Sequence, residues 1–188
     1  MASNEKNNFK MSKEYKKLLN HERLISNALK VSDDNELTVT LKKTINKGVG
    51  LYAIDHIKKG DTIAYYKIKV FKTNEYNSPT NYMYSFEVYK KNGDNYKSLI
   101  GDLDQESFPD PINGISFWAP FANEPSIDQR SNAHLDMNLK ENYKNRTKVT
   151  IGQTMIYKLV ATKHIKPDDE ILWYYGSNYL RDYEVSDK

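Results

Sequence analysis

The sequence predicts a mostly β protein built from several small sheets and preceded by an N-terminal helical segment. Short runs rich in β-branched and aromatic residues alternate with turn residues along most of the chain, which is typical of many short strands. Apolar residues recur at helical spacing near the N-terminus, over residues 10–31. With 188 residues, of which 38% are hydrophobic, the chain can bury the core of one domain.

The composition bears on several classes of protein. The chain contains no cysteine, which excludes disulfides and cysteine-ligated zinc, and we expect no metal site and an intracellular location. It has no run of 18 apolar residues and no apolar core in its first ten residues, so we expect neither a membrane helix nor a secretory signal. The net charge of +3 is small and the charges are interspersed, which disfavours a nucleic-acid-binding protein.

Residues 1–36 are predicted to form a basic helical segment ahead of the main domain. We expect residues 1–9 to be a disordered lead and residues 10–31 to hold one or two amphipathic helices. The basic polar face is explained either by exposure to solvent or by contact with an acidic partner. The apolar positions that predict the helix are Tyr15, Leu18, Leu19, Leu24, Ile25, Ala28 and Leu29.

Strands are predicted from residue 37 onward. "LTVTLKKT" (37–44) alternates with β-branched residues, and "LYAIDHIKKGDTIAYYKIKVF" (51–71) contains two strands around a "KKGD" turn. "YMYSFEVY" (82–89) and "YKSLIGDL" (96–103) are predicted to form a hairpin that turns at Asn92-Gly93. A loop and a mostly non-repetitive stretch follow through residue 138, and residues 147–175 are predicted to hold the closing strands and turns.

Four short stretches carry residues suited to a binding or catalytic site, and each also has a structural explanation. Glycines after a strand, as at residues 48–50, serve a turn, and tyrosines two apart, as at residues 82–84, serve sheet packing. Loop asparagines, here Asn123 and Asn132, hold either backbone or ligand. The fourth stretch, "DDEILWYYG" (168–176), is less easily explained as core, because two tyrosine hydroxyls would need partners elsewhere.

In this order and at these spacings, the four stretches resemble the SET domain, the fold of most protein lysine methyltransferases. "KGVGLYAIDHIKKGD" looks like the family's opening pattern, and "FANE" stands where the family has Phe-Ile-Asn-His. "ATKHIKPDDEILWYYG" is similar to the closing pattern that ends in Phe-Asp-Tyr-Gly. The resemblance covers residues 37–180, which leaves residues 181–188 as a C-terminal tail. It implies a pseudoknot-like threading of the closing segment through a loop of preceding chain.

The resemblance also implies a cofactor and a set of site residues. The cofactor would be S-adenosylmethionine, and Tyr175 would be the catalytic tyrosine. Trp173 would stand where the family limits the number of methyl groups, and Tyr82 or Tyr84 would line the channel for the target lysine. Asn123 would contact the amino-acid end of the cofactor and the backbone of Glu124 its adenine. The implied cofactor-binding residues are Gly48, Val49, Gly50, Leu51, Asn123 and Glu124.

The chain departs from the family pattern at several positions. Glu124 and Pro125 replace His-Ser, Tyr174 replaces the Asp before the final tyrosine, and either Pro167 or Asp168 replaces a glycine. There is no cysteine-rich zinc module to close the site. The hypothesis is that the last residues form a lid instead, through Tyr179, Leu180 or Tyr183.

The implied reaction explains why aromatic residues suit this site. Methyl transfer to an amine requires the neutral amine, and a dry aromatic channel disfavours the ammonium form. A carboxylate in the channel would stabilise the ammonium and oppose the reaction. The large ring of Trp173 leaves little room, which favours one or two methyl groups, although an indole holds no water and this favours more.

The predicted function is therefore that of an S-adenosylmethionine-dependent protein lysine N-methyltransferase. Its partner would be a protein that bears a lysine, with histone tails as one candidate and the nucleus as the location in that case. No direct nucleic-acid binding is required and no membrane is implied. Two alternatives stay open: a catalytically silent SET-like interaction module, and a basic nucleic-acid-binding protein that the charge balance disfavours.

Overall fold

The structure is a computed structural model that describes residues 13–30, 37–78, 82–92, 95–103, 108–137, 149–177, 179 and 181–185. Helix α1 spans Lys13–Lys30, and a short 3-10 helix spans Ala119–Phe121. The strands are β1 (Val39–Lys43), β2 (Val49–Ala53), β3 (Thr62–Phe71), β4 (Phe86–Asn92), β5 (Asn95–Leu103), β6 (Ala133–Asp136) and β7 (Thr154–Ala161). The predicted mostly β architecture with an N-terminal helix is confirmed.

Two antiparallel sheets form the frame of the domain. β1 pairs with β2, and the larger sheet has the order β4-β5-β3-β7-β6. Along β3 and β7 buried residues alternate with partly exposed ones, because successive side chains of a strand point to opposite faces. The buried residues of these two central strands supply one wall of the core, namely Ile63, Ala64, Tyr66, Ile68, Val70, Met155, Tyr157, Leu159 and Ala161.

Helix α1 packs against the domain through Leu24 and Ala28, which are 3% and 0% exposed. They are four residues apart, so they lie on one helix face, and both belong to the same core cluster as the sheets. The described residues show one helix where the sequence allowed one or two. The lead over residues 1–9, the boundary at residue 36 and the side chains of Tyr15, Leu18 and Leu19 lie outside the described residues.

The closing segment, residues 165–176, runs between β2 and the loop that precedes β6. On one side Ile171 donates a backbone hydrogen bond of 2.8 Å to Leu51 of β2. On the other side Trp173 donates one of 3.0 Å to Asn123. This two-sided pairing brings three stretches that are distant in the sequence to one place, as the implied threading requires.

The predicted strand over residues 82–89 is wrong in its first half. β4 begins at Phe86, and residues 82–84 form a turn. Tyr82 has a φ of 64°, which lies in the left-handed region that no strand residue adopts. Tyr82 and Tyr84 therefore do not share a strand face.

The hairpin that follows is confirmed, because β4 pairs with β5 from Phe86 opposite Gly101 to Asn92 opposite Asn95. The stretch through residue 138 is less irregular than predicted, since it contains β6, which pairs with β7 at the edge of the sheet. No helix in the described part of the chain has the length and apolarity needed to cross a membrane.

Candidate active site

The glycine motif lies at the start of β2, and its two glycines are required for different reasons. Gly48 has a φ of +74°, a backbone conformation that residues with a side chain rarely adopt. Gly50 is buried, and a Cβ placed there would lie 2.8 Å from both Glu170 Oε1 and Thr44 Cγ2 and 3.0 Å from Asn123 Nδ2. The absence of a side chain at Gly50 therefore lets the closing segment approach the backbone of β2.

Asn123 joins the glycine motif to the closing segment. Its Nδ2 donates hydrogen bonds of 3.2 Å to Val49 O and 2.9 Å to Glu170 Oε1. Leu51, the last residue of the motif, is fully buried and pairs with the closing segment through its backbone carbonyl. The structure thus brings Val49, Gly50 and Leu51 together with Asn123, and all four belong to the predicted cofactor-binding set.

Asn132 holds backbone, one of the two roles that the sequence left open. It is 6% exposed, its Nδ2 donates 2.8 Å to Glu170 O, and its Oδ1 accepts 2.8 Å from Leu172 N. One side chain therefore satisfies two backbone groups of the closing segment and fixes its path beside Asn123. In the sequence, Asn132 could be recognised only as a loop asparagine close to the FANE motif. Its hydrogen-bond partners, the backbones of Glu170 and Leu172, lie 38 and 40 residues further along the chain.

Tyr175 and Trp173 converge on a single acceptor, the carbonyl of Ala122. The hydroxyl of Tyr175 donates to Ala122 O at 2.8 Å, and the indole Nε1 of Trp173 donates to it at 3.2 Å. The two ring centroids are 4.9 Å apart. Burial raises the pKa of Tyr175 well above its ordinary value, so the hydroxyl stays protonated at neutral pH.

The two predicted channel tyrosines have different surroundings: Tyr84, like Tyr175, packs against the core cluster, whereas Tyr82 is exposed. Burial raises the pKa of Tyr84, and the nearby hydroxyl of Tyr179 raises it further, while Tyr84 in turn raises that of Tyr175. The exposed Tyr82 instead donates its hydroxyl to Tyr76 O at 2.7 Å. Tyr84 is therefore the better placed of the two to line a channel beside Tyr175.

Glu124 has a different environment from the one that the resemblance implies. Its backbone is implied to lie beside adenine, and the carbonyl oxygen of that backbone accepts a 2.7 Å hydrogen bond from Lys47 Nζ. Lys47 Nζ also donates to Gln129 at 2.7 Å, and burial lowers its pKa. The carboxylate of Glu124 is 1% exposed and forms a salt bridge with Arg181, which sequence reasoning did not identify.

The C-terminal residues fold back over this cluster, as the lid hypothesis expects. The ring of Tyr179 meets that of Tyr175 edge to face at 4.9 Å. The hydroxyl of Tyr183 reaches Glu124 Oε2 at 3.3 Å, and its pKa is raised to about 12, first by burial and then by the charge of Glu124. Leu180, the third predicted lid residue, lies outside the described residues.

A groove of about 450 Å³ opens beside Trp173 and Tyr175. None of the described residues that line it is acidic. β6 contributes one wall, which sequence reasoning missed because the strand itself was not predicted. The lining residues are Ser131, Ala133, His134, Leu135, Met137, Thr162, Trp173, Tyr174, Tyr175 and Gly176.

The arrangement is suited to holding and orienting an uncharged nucleophile. A protonated tyrosine hydroxyl and aromatic walls can bind an amine by hydrogen bonding and contact, without a carboxylate that would keep the amine charged. Within the described ranges, no group of three His, Cys, Asp or Glu side chains is placed to hold a metal ion.

Comparison with known proteins identifies the family. A model of the SET domain matches residues 48–176, more than half of the chain. Among solved structures, a candidate histone methyltransferase of Plasmodium falciparum is 19% identical with a TM-score of 0.45, over 76% of this chain and 96% of that one. The methyltransferase domain of human PR domain-containing protein 2 is 15% identical with a TM-score of 0.44, over 84% and 90%.

No curated protein sequence matches the chain at a significant level. The two solved structures are similar in outline only, so the assignment depends on the family model. That model begins at the first glycine of the opening motif and ends at the glycine after Tyr175, so it includes the glycine motif, Asn123, Trp173 and Tyr175. The chain belongs to the SET-domain family.

Proposed function

We propose that this protein is an S-adenosylmethionine-dependent protein lysine N-methyltransferase. The observation that carries the proposal is the protonated hydroxyl of Tyr175, held by Ala122 O in an aromatic groove and next to the Gly50–Asn123 cluster. A tyrosine that closes a groove without acidic lining residues fits amine methylation better than acid–base hydrolysis. Membership of the SET-domain family supports a methyltransferase in general.

The residues present fit the cofactor that the family implies. Because Gly50 has no Cβ, Asn123 and Glu170 pack against the backbone of β2, which places the Asn123 amide beside residues 48–51. Residues 48–51, Asn123 and the backbone of Glu124 would hold S-adenosylmethionine, and the carbonyl of Glu124 could contact it only after losing its hydrogen bond from Lys47 Nζ. The cofactor supplies an activated methyl group, and in-line alignment rather than proton transfer limits such a reaction.

The chain's own contribution concerns the amine. A lysine in water has a pKa of about 10.4, so its deprotonation at pH 7 costs roughly 4–5 kcal/mol. Dry aromatic walls from Tyr84, Trp173 and Tyr175 would lower that cost, because they solvate an ammonium poorly. The hydroxyl of Tyr175 would orient the neutral amine by a hydrogen bond.

The position of Trp173 supports transfer of one or two methyl groups. Its ring is 9% exposed and its Nε1 is already bonded to Ala122 O, so the indole is fixed beside Tyr175 and its bulk cannot swing away easily. The product mass after long incubation tests this, and a dominant trimethyl product would refute it.

Isothermal calorimetry with S-adenosylmethionine tests the cofactor site. We expect saturable one-to-one binding by the wild type and at least tenfold weaker binding by Asn123→Ala, which removes the amide between Val49 and Glu170. The matched control is Asn74→Ala, an exposed asparagine in the turn that follows β3. Binding that is equal in all three proteins would remove Asn123 from the site.

A peptide and protein screen then tests the activity, with histones and other lysine-bearing proteins as substrates. We expect Tyr175→Phe to lower kcat by a hundredfold or more, whereas Tyr65→Phe, which keeps its packing against Phe117, should not. A histone substrate would place the protein in the nucleus.

A catalytically silent interaction module is the second candidate. The observation that favours it is the altered Glu124, whose carbonyl is bonded to Lys47 and whose side chain is bonded to Arg181. Absence of cofactor binding to the wild type, together with retained folding, would select this alternative.

A further inference from the structure

We propose that Glu124 is a positioning residue: with Arg181 it forms a buried clasp that closes the described C-terminal residues 176, 177, 179 and 181–185 over the candidate active site and fixes Tyr175. The part of this inference that concerns catalysis rests on the proposed function. The part that concerns closure stands on geometry alone.

The first support is the set of hydrogen bonds that the Glu124 carboxylate accepts from described residues. Oε1 accepts 2.9 Å from Tyr175 N and 2.7 Å from Arg181 Nη2. Oε2 accepts 3.0 Å from Arg181 Nε and 3.3 Å from Tyr183 OH. These donors belong to Tyr175, Arg181 and Tyr183, so the carboxylate of Glu124, next to Asn123, binds three residues of the C-terminal part of the chain.

The second support is the burial of the pair. The side chain of Glu124 is 1% exposed and that of Arg181 is 14% exposed. A buried carboxylate is stable only with charge and hydrogen-bond partners, and the forked guanidinium supplies both in a two-point contact. In the closed arrangement the carboxylate of Glu124 is therefore bound by the guanidinium of Arg181.

The third support is that Arg181 binds the same region a second time. Its Nη2 also donates 2.8 Å to Gly176 O, and its guanidinium lies 5.5 Å from the ring centroids of Tyr174 and Tyr179. The guanidinium of Arg181 therefore contacts residues on both sides of Tyr175 in the sequence. An antiparallel bridge between Ser126 and Val185 continues the contact beyond the clasp.

The clasp contacts Tyr175 through its backbone amide, which donates to Glu124 Oε1. Ala122 O holds the hydroxyl and Glu124 Oε1 holds the amide, so two residues of one short loop fix both ends of the same tyrosine. The ring of Tyr179, two residues before Arg181, meets that of Tyr175 edge to face at 4.9 Å. Loss of the clasp should therefore loosen Tyr175 and expose it to water without disturbing the central strands.

Hydrogen–deuterium exchange tests closure without any need for activity. The variants are Glu124→Gln, which keeps the volume and removes the charge, and Arg181→Ala, with Arg23→Ala on the exposed face of α1 as the matched control. We expect peptides that cover residues 174–185 to exchange at least tenfold faster in both clasp variants. Peptides from β3 and β7 should exchange as in the wild type.

Arg181→Lys and the double variant sharpen the test. Lysine keeps the charge but loses the fork, so it should give exchange intermediate between the wild type and Arg181→Ala. Glu124→Gln combined with Arg181→Ala should be no worse than either single change, because each already breaks the clasp. Additive acceleration, or unchanged exchange in either single variant, would overturn the proposal.

Kinetics at saturating cofactor and peptide test the positioning role. We expect kcat to fall at least tenfold in Glu124→Gln and to recover in part in Arg181→Lys relative to Arg181→Ala. Faster hydrogen–deuterium exchange of residues 174–185 with an unchanged kcat would contradict the positioning role of Glu124. In that case the clasp would close the C-terminal residues without affecting Tyr175. If the wild type shows no methyl transfer, the proposed function fails, and the exchange rate of the peptide that holds Tyr175 still decides whether the clasp exists.

Discussion

Asp168 takes the backbone conformation of the glycine that the family pattern places in this turn. Its φ is 67°, in the left-handed region that aspartate tolerates better than most residues. The sequence left Pro167 and Asp168 as alternatives, and a proline ring restricts φ to negative values. A salt bridge of 2.5 Å from Lys42 Nζ to Asp168 Oδ1 ties the turn to β1.

Gly50 carries the first prediction at the residue scale. In Gly50→Ala the new Cβ would meet Glu170, Thr44 and Asn123 at 3.0 Å or less, so one of them must shift. We expect a loss of about 1–3 kcal/mol in the free energy of unfolding, which is typical of overpacking, and cofactor binding weakened at least tenfold. Urea unfolding and calorimetry measure the two effects.

Gly48→Asn is the matched control for this prediction. Gly48 has open space around its Cα and needs only a residue that accepts its positive φ, which asparagine does better than alanine. We expect a loss of less than about 1 kcal/mol there. Equal stability of Gly50→Ala and the wild type would show that the closing segment can move away from β2.

Among the elements, α1 is the one whose attachment to the domain can be tested directly. Leu24 is 3% exposed within the core cluster, whereas Leu29 on the same helix is 44% exposed. We expect Leu24→Ala to lower the free energy of unfolding by about 2–4 kcal/mol and Leu29→Ala by less than about 1 kcal/mol. Thermal and urea unfolding, followed by circular dichroism, measure both.

The unfolding of α1 also bears on the boundary that the sequence placed at residue 36. A single cooperative transition in both variants is expected if α1 and the sheets share one core. A separate, earlier loss of the helical circular dichroism signal would show that the helical segment is an independent unit, provided that the sheets of Leu24→Ala unfold at the same midpoint as those of the wild type.

The error at the start of β4 has a cause that lies in long-range contacts. The stretch from Tyr82 to Tyr89 alternates as a strand should, but Asp102 on β5 is fully buried and accepts hydrogen bonds from Tyr76 and Ser78. Ser78 in turn accepts from the backbone of Tyr82. These hydrogen bonds stabilise residues 82–84 as a turn. They cannot be predicted from the local sequence, because Asp102 lies about twenty residues further along the chain.

Across the whole molecule, buried tyrosines make stability depend on alkaline pH. Burial raises the pKa of Tyr66, Tyr84 and Tyr175 above the ordinary value of 10.0. Above pH 10 the unfolded chain releases these protons while the native chain keeps them, so the free energy of unfolding falls as pH rises. The slope per tyrosine is at most about 1.4 kcal/mol per pH unit.

Urea unfolding at pH 8, 9, 10 and 11 checks this dependence. Tyr66→Phe is the diagnostic variant, because it removes one buried hydroxyl and its 2.9 Å hydrogen bond to Tyr84 O. We expect it to cost about 1 kcal/mol at pH 8 and to weaken the fall above pH 10. A midpoint that does not change between pH 9 and pH 11 would contradict the prediction.

The sequence by itself determined the fold class, the N-terminal helix, the family and the three motifs that meet at the site. It could do so because periodicity and short motifs are local properties of the chain. The tertiary structure alone decided which side chains pair. Asn132 meets Glu170, and Glu124 meets Arg181 across a separation of 57 residues. A buried polar group must find a partner, but only the path of the chain determines which one it finds.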